Sequence, residues 1–231
     1  MDRGSDRRRP PLISLAPGLD HHPGYLDAAA QATLAADLAS VLRAAPPFTP
    51  TMPRTGKPFS VRMSNCGPLG WVSDRDGYRY QPHHPETGRP WPAMPAAIRD
   101  AWAALAGCPQ PPEACLINLY APGARMGLHQ DRDEADLSAP VLSLSLGATA
   151  VFRFGGLRRG DPTRSVHLRS GDALVIGGAS RLIFHGVDRL LPPAAPDLLG
   201  GAPAAPVLRE AVPPGGRLNV TLRRVSGPAR A

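Results

Sequence analysis

From residue 114 to the end of the chain, short stretches of alternating apolar and polar residues are separated by turns rich in glycine and proline. Side chains alternate between the two faces of a strand, so this period of two predicts strands with one buried face. About seven or eight such strands joined by turns are typical of a β-sandwich or barrel, of which the cupin-like jelly roll is one form. The predicted strands are 115–120, 141–146, 150–154, 165–169, 172–176, 183–187 and 217–225.

Two helices are predicted before these strands, which makes the chain mainly β, of the α+β class. Residues 25–45 are rich in Ala and Leu, contain no Pro or Gly, and are followed by Pro46, which cannot continue a helix. Residues 95–107 show a second, shorter amphipathic pattern. His21 and His22 precede the first helix, and because adjacent side chains point apart, we predict that both lie on the surface.

Three segments are predicted to lack regular structure. Residues 1–11 are basic and residues 226–231 are short, and both are expected to be tails. Residues 192–216 are rich in Pro, Ala and Gly, which predicts a long loop in solvent. The N-terminus lacks the apolar region of a signal peptide, and no run approaches the roughly 18 apolar residues of a membrane helix. We therefore expect a cytoplasmic monomer with no membrane partner.

The charge and the cysteines restrict the class of partner. The formal net charge is +7 at pH 7, and nearly all positive groups are arginines because Lys57 is the only lysine. A basic surface attracts nucleic acid, although a bias in coding sequence would give the same composition. Cys66, Cys108 and Cys115 are odd in number and form no C-x-x-C pair, which disfavours a disulfide framework or a zinc ribbon.

Residues 50–92 differ from the rest of the chain because aromatic and basic residues alternate through a segment rich in Gly, Pro and Thr. Such a surface can stack bases and contact phosphates, or the aromatic residues can form a small local core. Both interpretations remain open at this point. The aromatic residues are Phe59, Trp71, Tyr78, Tyr80 and Trp91, and the basic ones include Arg54, Lys57, Arg62, Arg75 and Arg79.

A His-x-Asp pattern follows the first of the predicted strands. In an extended chain, residues 129, 131 and 133 share one face, so His129, Asp131 and Asp133 would converge. A neutral imidazole and a carboxylate are two of the three ligands of a facial iron site, and His185 at the end of a later strand would be the third. The alternative is a polar hairpin in which the histidine and the aspartate only hydrogen-bond to each other.

The last predicted strand carries two arginines on one face. Arg217, Asn219 and Arg223 have the same parity, and buried arginines are costly unless anions meet them. A dicarboxylate would satisfy both guanidinium groups, and Asn118 and Tyr120 would add neutral donors from the strand before the His-x-Asp pattern. The alternative is an exposed edge strand of alternating charge.

Taken together, these motifs resemble the AlkB family of Fe(II)/2-oxoglutarate-dependent dioxygenases over about residues 58–225. The resemblance implies a double-stranded β-helix core at 93–225 and a nucleotide-recognition lid at 50–92. The helix predicted from composition makes residues 12–49 an N-terminal helical segment. The matching stretches include Met63–Gly67, Leu69–Trp71, Arg89–Pro95, Ala114–Asn118, Tyr120–Ala124, Leu128–Asp131, Phe154–Leu157, Ser180–Leu182, His185–Gly186 and the Arg217-x-Asn219-x-x-x-Arg223 pattern.

The resemblance also implies a role for each candidate residue. Fe²⁺ would be bound by His129, Asp131 and His185. The residues that would hold 2-oxoglutarate are Asn118, Tyr120, Arg217, Asn219 and Arg223. Trp71 and the ring of His129 would sandwich a flipped base, and Asp133 would contact its exocyclic amine. The remaining residues that would line the substrate side are Met63, Tyr78, Ser143 and Arg159.

The reaction that the resemblance implies is oxidative demethylation of 1-methyladenine or 3-methylcytosine in single- or double-stranded DNA, with RNA as a further substrate. Dioxygen would be consumed, 2-oxoglutarate would become succinate and CO₂, and formaldehyde would leave, so the damage is reversed directly. Two alternatives stay open: the same chemistry on another N-methylated target such as tRNA or protein, and a non-catalytic protein that binds damage.

Overall fold

The computed structural model describes residues 11–192, 198–199 and 206–227. Its strands, numbered along the chain, are β1 (Ile13–Ala16), β2 (Leu19–His22), β3 (Arg62–Cys66), β4 (Gly70–Asp74), β5 (Gly77–Gln81), β6 (Ala114–Tyr120), β7 (Met126–His129), β8 (Val141–Gly147), β9 (Ala150–Phe154), β10 (Arg164–Leu168), β11 (Ala173–Ile176), β12 (His185–Leu190) and β13 (Arg217–Arg223). The helices are α1 (Ala28–Ala44), α2 (Ala96–Leu105), a 3₁₀ turn (Gly178–Ser180) and α3 (Pro206–Ala211).

Two antiparallel sheets form the core. The larger has seven strands in the order β1-β2-β11-β8-β13-β6-β3, and the smaller has four in the order β10-β9-β12-β7. From β8 onward the chain passes back and forth between the sheets: β8, β11 and β13 lie in the larger one, and the β9–β10 hairpin and β12 lie in the smaller. This winding is a jelly roll, one of the forms that the alternating pattern allowed, and it confirms the double-stranded β-helix that the resemblance implied. The pair β4-β5 stands apart as a hairpin.

The period of two separates an apolar face of the larger sheet from a polar one. On β13, Leu218, Val220 and Leu222 are fully buried in the core cluster that also contains residues of α1 and α2. Arg217, with the other odd-numbered residues of the strand, faces the cavity between the sheets. The predicted parity of this strand is confirmed.

Helix α1 begins three residues later than the sequence predicted. The carboxylate of Asp27 accepts a hydrogen bond from the Ala30 amide at 2.8 Å, which satisfies one of the amides left free at a helix start. Leu34, Leu38 and Leu42 are at most 1% exposed and cover the apolar face of the larger sheet. No helix in the described part of the chain is long and apolar enough to cross a membrane.

The segment before α1 contains a hairpin that the sequence prediction missed. Strands β1 and β2 pair with each other, and β2 also pairs with β11, so they extend the larger sheet. The prediction that His21 lies on the surface was wrong, since it is 5% exposed. Its Nε2 lies 2.9 Å from a carboxylate oxygen of Asp172, and this partner makes the burial of the imidazole possible.

The expectation of a structureless loop at 192–216 was wrong for part of that range. Residues 206–211 form α3, which starts at Pro206, a residue suited to the first turn of a helix. Leu208 and Val212 are at most 1% exposed and pack in the same core cluster as α1. The predicted tails lie outside the described residues, apart from residues 11, 226 and 227.

We expect Leu208→Ala to lower the free energy of unfolding by about 2–4 kcal/mol, because it leaves a cavity in the core. Leu12→Ala is the control, since Leu12 is 59% exposed, and it should change stability by less than about 0.5 kcal/mol. Urea unfolding of the two variants measures the difference. Equal stabilities would show that α3 does not contribute to the core.

Candidate metal and co-substrate site

Two histidines face each other across neighbouring strands of the smaller sheet. His129 on β7 and His185 on β12 are partners in the antiparallel register, and directly opposed residues project from the same face. Their ring centroids are 4.6 Å apart. Asp131 follows β7 by two residues and joins them. The structure therefore brings together the three residues that the sequence suggested as metal ligands.

The distances among these three side chains suit one metal ion. Asp131 Oδ1 lies 3.6 Å from His129 Nε2, and Asp131 Oδ2 lies 3.7 Å from His185 Nε2. The candidate ligand atoms all lie within 4.8 Å of one another. Within the described ranges, no other group of His, Cys, Asp or Glu has this spacing. Two imidazole nitrogens and one carboxylate are the ligand set of non-haem Fe(II) oxygenases.

Backbone carbonyls orient both imidazoles for metal binding. Nδ1 of His129 lies 2.9 Å from Gly127 O, and Nδ1 of His185 lies 3.2 Å from Ile183 O. A carbonyl only accepts, so Nδ1 carries the proton and Nε2 presents its lone pair. Burial, reinforced by the neighbouring His129, lowers the pKa of His185 to about 4. His185 is therefore neutral near pH 7, as a metal ligand must be.

The third ligand is held as an anion. Burial by itself would raise the pKa of Asp131, but Arg223 and the two histidines outweigh it and hold that pKa far below its usual value. Nη2 of Arg223 donates to Asp131 Oδ2 at 2.9 Å. Two imidazole nitrogens and one carboxylate thus fit a divalent cation, and the residues present suit Fe²⁺.

Arg217 lies at the other end of β13, with neutral partners. Its guanidinium is 1% exposed and donates to Ser145 Oγ at 2.6 Å and to Leu168 O at 3.0 Å, while its Nε has no partner. Burial lowers its pKa to about 10, against the opposite effect of Tyr120 and Asp172. A buried cation with neutral acceptors attracts an anionic ligand.

Strand pairing places the remaining polar candidates on the same face. Asn219 pairs with Asn118, and Arg217 pairs with Tyr120. The Asn118 Oδ1 atom is buried without a partner, so it can accept a hydrogen bond from a ligand. Asn219 Nδ2 donates to Ser143 Oγ at 2.7 Å, so Ser143 contacts a candidate co-substrate residue, although the resemblance placed it on the substrate side.

One cavity contains the whole set. Its volume is about 950 Å³, and every residue predicted for the metal, the co-substrate or the substrate lines it. Trp71 and Asp133 belong to one part of its wall, where the Trp71 Nε1 donates to Asp133 Oδ2 at 2.8 Å. The Trp71 ring stacks on Tyr78 with centroids 5.6 Å apart. The Arg159 guanidinium lies 5.0 Å from the centre of the Phe184 ring.

Three residues near the metal ligands were given no individual role in the prediction from sequence. They are Glu134, Arg181 and Tyr80. Glu134 is linked to Asp131 through Arg223, and it also contacts Tyr80 and Arg181. Arg181 contacts Asp131 directly, because its Nη1 donates to the Asp131 backbone carbonyl at 2.6 Å. Residues 130–139 contain no helix or strand. Because the side chains of this segment follow no helical or strand periodicity, the one sequence signal for Glu134 was its charge beside the His-x-Asp pattern.

Comparisons with known proteins agree with this geometry. The profile of the 2OG-Fe(II) oxygenase superfamily matches residues 18–223. An "Alpha-ketoglutarate-dependent dioxygenase AlkB homolog" of Caulobacter vibrioides is 53% identical over 213 residues, which cover 92% of this chain and 90% of the relative. The chain belongs to the AlkB family of 2OG-Fe(II) oxygenases.

Two further comparisons support this assignment to the AlkB family. The "Alpha-ketoglutarate-dependent dioxygenase AlkB" of Escherichia coli is 51% identical over 148 residues, or 62% of this chain and 68% of that protein. The solved structure of OsALKBH1 has a TM-score of 0.71 and 32% identity, and the match covers 93% of this chain and all of that one. The chain is an Fe(II)/2-oxoglutarate-dependent dioxygenase that uses Fe²⁺, 2-oxoglutarate and O₂.

We expect Asp131→Asn to weaken Mn²⁺ binding, because the amide removes the anionic ligand while keeping its shape. The loss should exceed the roughly 10- to 100-fold seen when a residue that only supports a ligand is changed. Calorimetric titration of the metal-free protein measures it, with Asp100→Asn on the exposed side of α2 as the control. Unchanged binding by Asp131→Asn would remove this residue from the ligand set.

Proposed function

We propose that this dioxygenase removes methyl groups from the ring nitrogens of nucleic-acid bases, with 1-methyladenine and 3-methylcytosine in DNA as substrates. The observation that carries the proposal is the hydrogen-bonded pair of Trp71 and Asp133, in the wall of the same cavity as the metal ligands. An aromatic ring and a carboxylate beside an oxidising centre are what a cationic, flat substrate requires.

The chemistry of the damaged base fits this pair. Methylation at the pairing edge leaves 1-methyladenine or 3-methylcytosine cationic and unable to pair, so such a base is cheaper to flip out of a duplex. An indole face attracts a cation in addition to stacking on it. The Asp133 carboxylate supplies opposite charge and an acceptor for the exocyclic amine, while His129 closes the other side of the base.

The charge at the cavity favours a nucleic-acid substrate. Three exposed arginines line the same cavity as the metal ligands, and guanidinium groups at this position can neutralise phosphates that flank a flipped base. They are Arg125, Arg132 and Arg159. This feature suits DNA and RNA, single-stranded or double-stranded, and it does not favour a protein substrate.

The co-substrate would occupy the polar face of β13. Arg217 would bind the distal carboxylate of 2-oxoglutarate, assisted by Tyr120, because a buried guanidinium with neutral partners is free to pair with an anion. At the end nearer the metal, the amide side chains of Asn118 and Asn219 would donate or accept, and the unpartnered Nη1 of Arg223 would donate. When bound, iron and 2-oxoglutarate supply, with dioxygen, the oxidant for the methyl C–H bond.

The direct test of the proposed function is turnover of a modified oligonucleotide. With iron, ascorbate and 2-oxoglutarate, the protein should convert 3-methylcytosine in single-stranded DNA to cytosine, a change that mass spectrometry detects as loss of the methyl group. Parallel reactions with methylated tRNA and a methylated peptide distinguish the alternative substrates. No conversion of DNA or RNA by iron-loaded protein would refute the proposal, and turnover of the peptide alone would reassign it.

We expect Trp71→Ala to raise the KM for the oligonucleotide roughly 10- to 100-fold, because stacking contributes about 1–3 kcal/mol per base. The affinity for 2-oxoglutarate should not change. Trp71→Phe keeps an aromatic face but loses the hydrogen bond to Asp133, so its KM should lie between those of the wild type and Trp71→Ala. A wild-type KM in Trp71→Ala would place the base elsewhere.

We expect Arg217→Lys to weaken binding of 2-oxoglutarate by about tenfold or more, because a lost charged hydrogen bond costs about 1.5–3 kcal/mol and lysine cannot bind a carboxylate in the same two-pronged geometry. Titration of Mn²⁺-loaded protein under nitrogen measures the affinity. Arg209→Lys on the exposed side of α3 is the matched control. Equal affinities in both variants would exclude Arg217 from the co-substrate site.

A further inference from the structure

Four charged side chains, one of which is the candidate metal ligand Asp131, form a buried cluster. Asp131, Glu134, Arg181 and Arg223 have side-chain exposures of 9%, 1%, 4% and 8%. Two carboxylates and two guanidinium groups balance each other formally. Since a buried charge is stable only when it is paired, each member of the cluster depends on the others.

Glu134 is the member that joins the two arginines. Its Oε2 accepts from Arg181 Nη2 at 3.0 Å, and its Oε1 lies 3.1 Å from Arg223 Nε in an ion pair. Arg223 in turn donates to Asp131 at 2.9 Å. Without the charge of Glu134, Arg223 would have Asp131 as its remaining carboxylate partner. The guanidinium would then compete with a metal for the lone pairs of Asp131.

Glu134 also contacts the β4–β5 hairpin. The Tyr80 hydroxyl on β5 donates to Glu134 Oε1, and burial raises the pKa of Tyr80, so the hydroxyl stays protonated. Tyr80 is the cross-strand partner of Trp71, whose Nε1 donates to Asp133. Two cross-strand aromatic residues of the hairpin therefore donate hydrogen bonds to two consecutive carboxylates, Trp71 to Asp133 and Tyr80 to Glu134. Both carboxylates follow the metal ligand Asp131 within three residues.

We propose that Glu134 is a positioning residue that links the docking of the β4–β5 hairpin to the affinity for metal. Tyr80 orients Glu134, Glu134 holds Arg223, and Arg223 keeps Asp131 in place as a ligand. Because coupling between two binding equilibria is reciprocal, a bound metal also stabilises the docked hairpin. The metal-loaded enzyme thus presents the Trp71 surface to a base, and the metal-free protein presents it less often.

Metal affinity gives the first test. The full-length protein is stripped of metal and titrated with Mn²⁺ in the absence of substrate. Glu134→Gln should bind about 10- to 100-fold more weakly than wild type, as expected for a residue that supports a ligand. Tyr80→Phe should lose about fivefold or more. The variant with both substitutions should have an affinity for Mn²⁺ within about twofold of that of Glu134→Gln alone, because Tyr80 acts through Glu134.

Two substitutions outside the cluster are the matched controls. Glu113→Gln changes a carboxylate that accepts from the backbone amides of Val225 and Ser226, and Tyr25→Phe removes a tyrosine hydroxyl from the segment preceding α1. Neither residue lines the cavity. Both controls should bind Mn²⁺ with wild-type affinity.

Hydrogen exchange of the hairpin gives the second test. Mn²⁺ should slow amide exchange in residues 70–81 of the wild type and of Tyr25→Phe, and it should not do so in Tyr80→Phe or Glu134→Gln. Circular dichroism shows whether each variant is folded. If Glu134→Gln does not fold, Tyr80→Phe decides the outcome alone.

The proposal is overturned if Tyr80→Phe keeps wild-type metal affinity and wild-type metal-dependent protection. It is also overturned if the losses of Tyr80→Phe and Glu134→Gln add fully in the double variant, since Tyr80 would then act independently of Glu134. Neither measurement requires turnover of a base. Failure of the proposed demethylation would therefore be distinguishable from failure of this coupling.

Discussion

The ionised Asp131 carboxylate is the group on which the rest of the site depends. One of its oxygens faces His129, and the other faces both His185 and Arg223. Burial favours the protonated acid, and the guanidinium of Arg223 reverses that preference. If Asp131 were protonated, it would offer a divalent cation one fewer anionic ligand. The metal site therefore requires a buried arginine as much as it requires the histidines.

The β-helix winding supplies that arginine from a strand that cannot easily move. Strand β13 lies between β8 and β6 in the larger sheet, so both of its edges are hydrogen-bonded. Its apolar face is fixed under α1 and α2, which leaves the opposite face as a rigid platform for the cavity. The His129–His185 pair sits on the smaller sheet across from it. The alternation of the chain between sheets is what brings the metal ligands opposite Arg223.

The parts of this arrangement that follow a period could be predicted from the sequence. The parity of Arg217, Asn219 and Arg223 identified the cavity face of β13, and the i, i+2 spacing placed His129 beside Asp131. Contacts made by irregular or distant segments could not be predicted in this way. The partner of His21 is Asp172, 151 residues away in the sequence, and Glu134 lies in a segment with neither helix nor strand. The helix α3 was missed because Pro, Ala and Gly dominate the residues around its short apolar stripe.

The two arginines of β13 differ in a way that only the structure reveals. Arg223 is already ion-paired with Asp131 and Glu134, whereas the partners of Arg217 are neutral. They are six positions apart, or about 20 Å along the strand, so they face different ends of the cavity. We infer that Arg217 supplies most of the charge that binds the distal carboxylate of 2-oxoglutarate. Arg223 would act chiefly on the ligand Asp131 and would offer the co-substrate its Nη1 amino group, which has no hydrogen-bond partner among the described residues.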